Sequence, residues 1–426
     1  MTRYRRWRYV SSRTVIVLSL IPLTVYTAVA QQIEVPARLT FSEARSLMLA
    51  HSRVLLRDEQ NITIAHANVG QARLRINPEL EISSESYPLF ESKSGSFLNN
   101  QELTTRATQT IETAGKRGKR TQVAQKELSA TESDVQNTVR QLTLELKRRY
   151  YGVALAQAQL QLAQELLKGF DDLIRLNEAR YQQGEISGLE IARVRAERLR
   201  FFNDLLESQL LLSNSRVELL ELLGATDLSA PFKAADPLAI SGLVPSIEEL
   251  QRLALEQRPD LIAERQRLDR NRSQLAVDKS LAVPNVSPSF GYKRDFGANT
   301  VVAGVSVPLP LFNRNQPGIA RATADIARQN FELERVRLAV VREVLEAKQT
   351  FAMQSERVAA IEHEYVPSVQ RVQNTAQQSY RLGELDLIGL LDAERVYRET
   401  LRNFNEALYE RRIALALIEA AVGKEF

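Results

Sequence analysis

Residues 181–192 read Tyr-Gln-Gln-Gly-Glu-Ile-Ser-Gly-Leu-Glu-Ile-Ala, and residues 380–391 read Tyr-Arg-Leu-Gly-Glu-Leu-Asp-Leu-Ile-Gly-Leu-Leu. Each is a Tyr-x-x-Gly-Glu set between two long stretches of helix formers, and a glycine there can take positive φ and turn one helix into the next. The motifs lie 199 residues apart, and the same offset carries Gly184 to Gly383, Glu207 to Glu406 and Gly224 to Gly423. Toward the N-terminus it carries Val139, Leu142 and Leu146 to Leu338, Val341 and Leu345 without a gap. Such self-similarity marks two copies of one structural unit.

Further upstream the offset becomes 206. Thr40-Phe-Ser-Glu43 and Ser246-Ile-Glu-Glu249 each open a helix with a hydroxyl cap and an acid three residues on. These helices are expected to run to Asn77-Pro78 and Val283-Pro284. The seven extra residues of the first copy fall between Pro78 and Thr104, in the Tyr87–Gln101 loop, whose counterpart from Lys293 to Asn299 is short. On either side of these loops the side chains alternate. Leu80 and Ile82 alternate with Glu81 and Ser83, Thr105, Ala107, Gln109 and Ile111 with Thr104, Arg106, Thr108 and Thr110, and Val301, Ala303, Val305 and Val307 with Val302, Gly304 and Ser306. A period of two predicts strands with unlike faces, and about ten residues is the length of a tilted membrane strand. Four such strands cannot close a barrel by themselves.

From Lys116 to Tyr181 and from Pro317 to Tyr380 the chain has few breakers, and Val135, Val139, Leu142, Leu146, Tyr150 and Val153 form an apolar stripe at coiled-coil spacing. About 64 residues of helix span roughly 96 Å, which suits a tube better than a globule. The return path is split into Glu185–Leu223 and Ile247–Val283, with the Gly- and Pro-rich segment Gly224–Pro245 expected midway up the tube.

The first 30 residues carry Arg3, Arg5, Arg6, Arg8 and Arg13, then an apolar run, then Ala28-Val-Ala30, the parts of a secretory signal. Without these five arginines the formal charge falls from +4 to about −1, so there is no basic field for nucleic acid. The apolar run is too short for a spanning helix, and no later segment is long and apolar enough. With no cysteine there is no disulfide, thiolate nucleophile, cysteine metal site or lipidated N-terminus. The organisation reads as a signal peptide at 1–30, a first repeat at 31–224 (strand-loop-strand about 79–113, tip about 181–188), a mid-tunnel linker at 225–245, and a second repeat at 246–426 (strands about 285–312, tip about 380–388).

Three pieces resemble the TolC-like outer-membrane efflux proteins. They are the paired Tyr-x-x-Gly tips, the junction Glu112-Thr-Ala-Gly-Lys-Arg-Gly118, and its partner Val307-Pro-Leu-Pro-Leu-Phe-Asn-Arg-Asn315. The two junctions are most similar to the heavy-metal (CzcC-like) branch, although Ala114 replaces a glycine there. The resemblance implies a mainly α fold with a small β part. In it a long helical coiled-coil barrel is joined to four strands per chain, which contribute to a twelve-stranded barrel in a homotrimer. It also implies a periplasmic adaptor at the tips, an inner-membrane RND pump, contact with outer-membrane lipid, and a passive duct for heavy-metal cations. A duct of the same fold for drugs or secreted polypeptides, or a periplasmic coiled-coil scaffold, are the competing readings.

Under the resemblance, Tyr181, Gly184, Tyr380 and Gly383 are adaptor-contact positions, against the plain reading of a tight turn and two packed aromatics. The family's latch arginine is Leu385 here, which weakens a latch of that chemistry. Asp392 is a candidate lumen gate, against the plain reading of a solvated helix carboxylate, and its family partner is Gly389. His51 and His66 are too far apart along a helix to share an ion, and His363 faces neither Glu362 nor Glu364. The Lys116–Arg120 run fits a barrel junction beside lipid headgroups. No catalytic residue, cofactor site or metal site is expected, because there is no phosphate loop, nucleophile elbow or paired histidine motif.

Overall fold

The computed structural model describes residues 34–85, 101–240 and 244–425. The N-terminal 30 residues and almost all of the Tyr87–Gln101 loop lie outside the described residues. After the short strand β1 (Arg38–Leu39), the first half runs α1 (Phe41–His51), α2 (Arg53–Arg73), β2 (Glu79–Glu85), β3 (Glu102–Thr108), α3 (Lys116–Gln182) and α4 (Gly188–Leu223). Following β4 (Lys233–Ala234), the second half repeats the plan as α5 (Ile247–Gln257), α6 (Pro259–Leu281), β5 (Ser287–Asp295), β6 (Ala298–Ser306), α7 (Gln316–Ala360), α8 (Val366–Leu382) and α9 (Leu387–Val422). With 67 residues, α3 is about 100 Å long.

The hydroxyl caps are in place. Thr40 and Glu43 form a reciprocal capping box, and Ser246 accepts from the Glu249 N–H. The helices they open differ from expectation, because each breaks after eleven residues, at Ser52 and at Arg258. Arg258 precedes Pro259, which drives it out of the helical region. Ser52 has no such proline, but the left-handed glycine that ends α4, Gly224, sits against the His51 carbonyl and wedges the break. In the second half Gly423 ends α9 in the same conformation beside Gln257 and Arg258.

Two further ends differ. α2 stops at Arg73, four residues before Asn77-Pro78, and its last carbonyls are taken by Arg120 and Thr121 of α3. The Pro317–Tyr380 run is interrupted by one π-turn, Ile361–Tyr365. Pro367 follows it and lacks the N–H that would close the preceding turn.

Along its first half α3 packs between α2 and α6, and along its second half between α4 and α9, with α7 and α8 beyond. The result is one layer of helices, with α2 and α4 along one side and α7 and α8 along the other. Near its middle, Leu39, Met48, Tyr150, Tyr151, Leu219, Leu220, Leu223 and Phe232 form a core, and Leu250, Leu253, Val340, Val344, Ile418 and Val422 form its counterpart. Full burial of each such side chain is worth about 1.5–3 kcal/mol. The 225–245 segment crosses the first core and pairs β4 with β1 in parallel, a contact with no signature in the sequence. The Tyr150 hydroxyl holds it, taking the N–H groups of Ala235 and Asp236 and lying 2.6 Å from Asp236 Oδ2. Burial, and then the Asp236 carboxylate, push Tyr150 above the usual tyrosine range.

The four long strands form one antiparallel sheet in the order β2-β3-β5-β6. The second hairpin closes through Phe296 and Gly297, both at positive φ, as a two-residue turn of the primed kind requires.

Candidate functional site

Register divides the sheet into two chemical faces. Leu80, Ala107, Phe290 and Ala303 form one row, and Ile82, Thr105, Tyr292 and Val301 the next, on a single face. Leu80, Ile82, Phe290, Val301 and Val305 on that face are each about two-thirds exposed. The opposite rows are Glu79, Thr108, Ser289 and Gly304, then Glu81, Arg106, Gly291 and Val302, then Ser83, Thr104, Lys293 and Thr300. Here Lys293 pairs with Glu102 at 2.9 Å and with Asp295 at 3.7 Å. Counting Glu79, Glu81, Glu85, Glu102 and Asp295 against Arg106 and Lys293, carboxylates outnumber cations on this face. Gly291 is required, since a Cβ there would meet the Thr105 carbonyl at 2.5 Å. β2 and β6 each leave one edge unpaired among the described residues.

At the far end of the helices both turns are built alike. Gly184 and Gly383 adopt φ of 76° and 79°. Ser187 caps α4 by accepting from the Glu190 N–H at 3.2 Å, and Asp386 caps α9 by accepting from the Gly389 N–H at 2.9 Å. The tyrosines differ. Tyr181 is half exposed, with its ring near Gly188, whereas Tyr380 is buried. The Tyr380 hydroxyl donates to Asn177 Oδ1 and lies 3.3 Å from Glu190 Oε1, and the Arg180 guanidinium sits 5.5 Å over its ring. Burial, and then the Glu190 charge, raise the Tyr380 hydroxyl. Tyr380 thus fastens the second hairpin to both helices of the first.

Asn177, Glu190 and Arg180 were not singled out from sequence. The available signal was Asn177, a polar residue seven positions after Phe170 on an apolar stripe. Asp392 lies exposed on α9 and pairs with Arg395 at 2.6 Å, one turn along the helix. It is therefore not brought together with the tip tyrosines.

Just above the tips, α3, α8 and α9 enclose a groove of about 430 Å³ lined by Phe170, Gln377, Tyr380, Glu394 and Tyr397 among others. Its walls hold no histidine, cysteine, serine or lysine. Among the described residues no three His, Cys, Asp or Glu side chains are grouped to hold a metal ion. His51 ends α1, His66 lies on α2 and His363 lies in the π-turn.

A two-hairpin helical layer about 100 Å long, continuous with an open four-stranded sheet, is the protomer plan of the TolC-like outer-membrane channels. The solved structure of CusC superimposes with a TM-score of 0.77 at 19% identity, covering 90% of this chain and 92% of that one. VceC from Vibrio cholerae gives 0.73 at 18%, covering 91% and 96%. The profile of the outer membrane efflux protein family matches residues 44–225 and 250–424, and the chain belongs to that family. It is a subunit of an outer-membrane efflux channel. Among characterised proteins it is 26% identical over 402 residues to the cobalt-zinc-cadmium resistance protein CzcC of Cupriavidus metallidurans, covering 92% of this chain and 91% of that one. It is also 26% identical over 303 residues to the nickel and cobalt resistance protein CnrC of the same organism, covering 68% of each.

Proposed function

We propose that three copies of this chain form a passive exit duct for heavy-metal cations, with a twelve-stranded barrel in the outer membrane and a helical tunnel in the periplasm. The observation that carries this reading is the sheet, with one face apolar up to its loop end, where Arg294 and Asn299 stand, one polar face, and two edges unpaired among the described residues. In lipid each open edge would leave a row of backbone groups unpaired, and four strands are too few to close. Copies joined edge to edge, β6 of one to β2 of the next, remove the problem. The helical layer supports the same assembly, since α4 leaves Leu199, Phe202, Leu206 and Leu210 exposed and α7 leaves Phe331, Leu338 and Leu345 exposed, both at coiled-coil spacing.

Two facts support the cation cargo. The relatives named above are cobalt, zinc, cadmium and nickel resistance proteins, and the polar face of the sheet carries an excess of carboxylates. Three copies would triple that excess around one axis, which favours cations over anions. In this reading the turns at Gly184 and Gly383, with exposed Tyr181, meet the hairpins of a periplasmic adaptor. An inner-membrane pump lies beyond the adaptor. Tyr380 serves as an internal brace, and Asp392, neutralised by Arg395, gates only when that pair opens. The N-terminal 30 residues serve as a cleaved export signal.

The test is a deletion strain complemented with the intact gene. Loss of zinc, cobalt, cadmium or nickel tolerance, restored by complementation, supports the metal duct. Unchanged metal tolerance with raised drug sensitivity would move the cargo to drugs. Recovery of the protein as a soluble periplasmic monomer would reject the duct itself.

A further inference from the structure

The apolar face of the sheet is too short for the membrane it must cross. On β6 it runs from Val301 to Val305, five residues, or about 14 Å between its ends along the strand and roughly 10 Å along the axis of a tilted barrel. An outer-membrane barrel presents an apolar band about 25 Å tall. The alternation does not stop with the strand. Val307, Leu309 and Leu311 continue the odd-numbered series of Val301, Ala303 and Val305, and they are 41%, 75% and 67% exposed. Phe312 is 93% exposed. Pro308 and Pro310 keep the segment extended and without N–H groups to satisfy at those positions, and six residues of such chain reach up to about 19 Å. The Leu311 N–H closes a tight turn onto the Leu309 carbonyl at 2.9 Å, so that leucines 309 and 311 bracket it.

The surroundings fit an interface. Arg314 is exposed, with its Nε donating to the Pro310 carbonyl at 3.1 Å. Arg117 and Lys119 are at the equivalent junction of the other half, where Lys116 is fixed by the Val283 carbonyl at 2.6 Å. Cations beside an apolar segment suit phosphate headgroups next to acyl chains. The matching stretch of the first half, residues 108–115, carries Thr110, Glu112 and Thr113, with Ile111 as its one large apolar side chain.

We infer that residues 307–312 are a lipid anchor, seated in the acyl region of the periplasmic leaflet, which completes the apolar belt from one junction per chain. This rests on the outer-membrane reading above. The occupant is phospholipid, on the grounds of continuity with the apolar sheet face and of the flanking cations.

The test uses the exported chain, which holds no tryptophan once residues 1–30, with Trp7, are removed, with single tryptophans introduced as Val301→Trp, Leu309→Trp, Leu311→Trp or Leu189→Trp. Each purified assembly is reconstituted into phosphatidylethanolamine/phosphatidylglycerol vesicles with acyl chains brominated or not. Emission from positions 309 and 311 should be about halved by bromolipid, as at 301, because shallowly buried groups lie within 5–10 Å of the acyl boundary; position 189 should not respond. Quenching at 301 but not at 309 or 311 overturns the anchor alone. If those two positions are then open to iodide the segment is solvated, and if shielded from iodide it is covered by a second copy. No quenching at 301 overturns the membrane reading itself.

Discussion

Alanine at Gly224 should cost far more than alanine at Gly423, although the two glycines are pseudo-equivalent. Both end a long helix in the left-handed region, at φ of 80° and 79°. An L-residue in that conformation costs about 1–2 kcal/mol, and this applies to both. A Cβ on Gly224, however, would lie 2.4 Å from the His51 carbonyl oxygen and 3.0 Å from its carbon, whereas on Gly423 the nearest atoms are 3.5 Å away. His51 is backbone at the α1–α2 break, so it can yield only by shifting the break and the Leu39–Tyr150–Phe232 core beneath it. Forced repacking of that kind adds about 1–3 kcal/mol. At about 2 °C per kcal/mol of chain stability, Gly423→Ala should lower the melting temperature by a few degrees, and Gly224→Ala by roughly twice as much. The assay is thermal loss of helical circular dichroism of the purified assembly in detergent. Asparagine supplies the control, since it tolerates the left-handed region. Gly423→Asn should recover most of the loss, whereas Gly224→Asn should not, because its Cβ meets the same carbonyl. Equal shifts for the two alanine variants, or a Gly224→Asn protein as stable as the parent, would refute the wedge.

Adjacent residues of β6 separate the sheet faces: Val301→Arg should cost about 2–4 kcal/mol and deplete assembled protein in outer-membrane fractions, while Val302→Arg, on the polar face, should assemble normally. Arg258 is 3% exposed and joins Asp260, Glu343 and the Ala421 carbonyl. Arg258→Leu strands two carboxylates and should cost about 3–5 kcal/mol in denaturant unfolding, whereas Arg252→Leu on the surface should leave the midpoint unchanged. Burial alone would raise Asp260, but Arg258, through its hydrogen bond and charge, and then Arg140 hold it below the usual range. A lowered carboxylate stabilises above its unfolded pKa, about 3.9, and that contribution is lost as pH falls through the folded value. The melting-temperature gap between parent and Asp260→Asn should therefore be full at pH 7 and close below about pH 4. Tyr380→Phe leaves Asn177 without its hydroxyl donor and should cost about 1–2 kcal/mol, seen as faster hydrogen exchange at both tips, with Tyr181→Phe silent.

What could be read in advance follows from how local the cause is. The tip turns, the caps at Thr40 and Ser246, the two-faced strands and the length of α3 are each set by residues within a turn of the feature, and periodicity exposes them. The kink at Arg258 has a local cause in Pro259, although the helix is expected from sequence to run unbroken to Val283, and its twin at Ser52 arises from Gly224, 172 residues away in the chain. The β1–β4 pair joins residues 195 apart and the Tyr150–Asp236 lock residues 86 apart, and nothing local marks them. At the tips the two tyrosines look identical in sequence. Their different burial is set by which helix lies across them, so the motif itself does not mark the partners Asn177 and Glu190.

The comparison of the two halves shows which part of the design is geometric and which chemical. Both halves place a helix break against a left-handed glycine, yet the buried set that fills the space differs. In the second half it is ionic, Arg258 with Asp260 and Glu343, while the same offsets in the first half lead to Ser52, Val54 and Leu144. Conversely, Tyr150 and Tyr151, which anchor the crossing segment of the first half, correspond to Gln349 and Thr350. The kink is thus held twice by unrelated chemistry. A consequence is that acid should loosen the wall unevenly. Protonation of Asp260 removes a carboxylate that holds Arg258 at the kink of the second half, whereas the first-half kink has no such ion pair among the described residues, and the Asp236 carboxylate locks the crossing segment instead. Hydrogen exchange at low pH should therefore rise first around residues 257–261 and 340–344, with residues 48–56 still protected, and the opposite order would show that the kinks do not depend on what fills them.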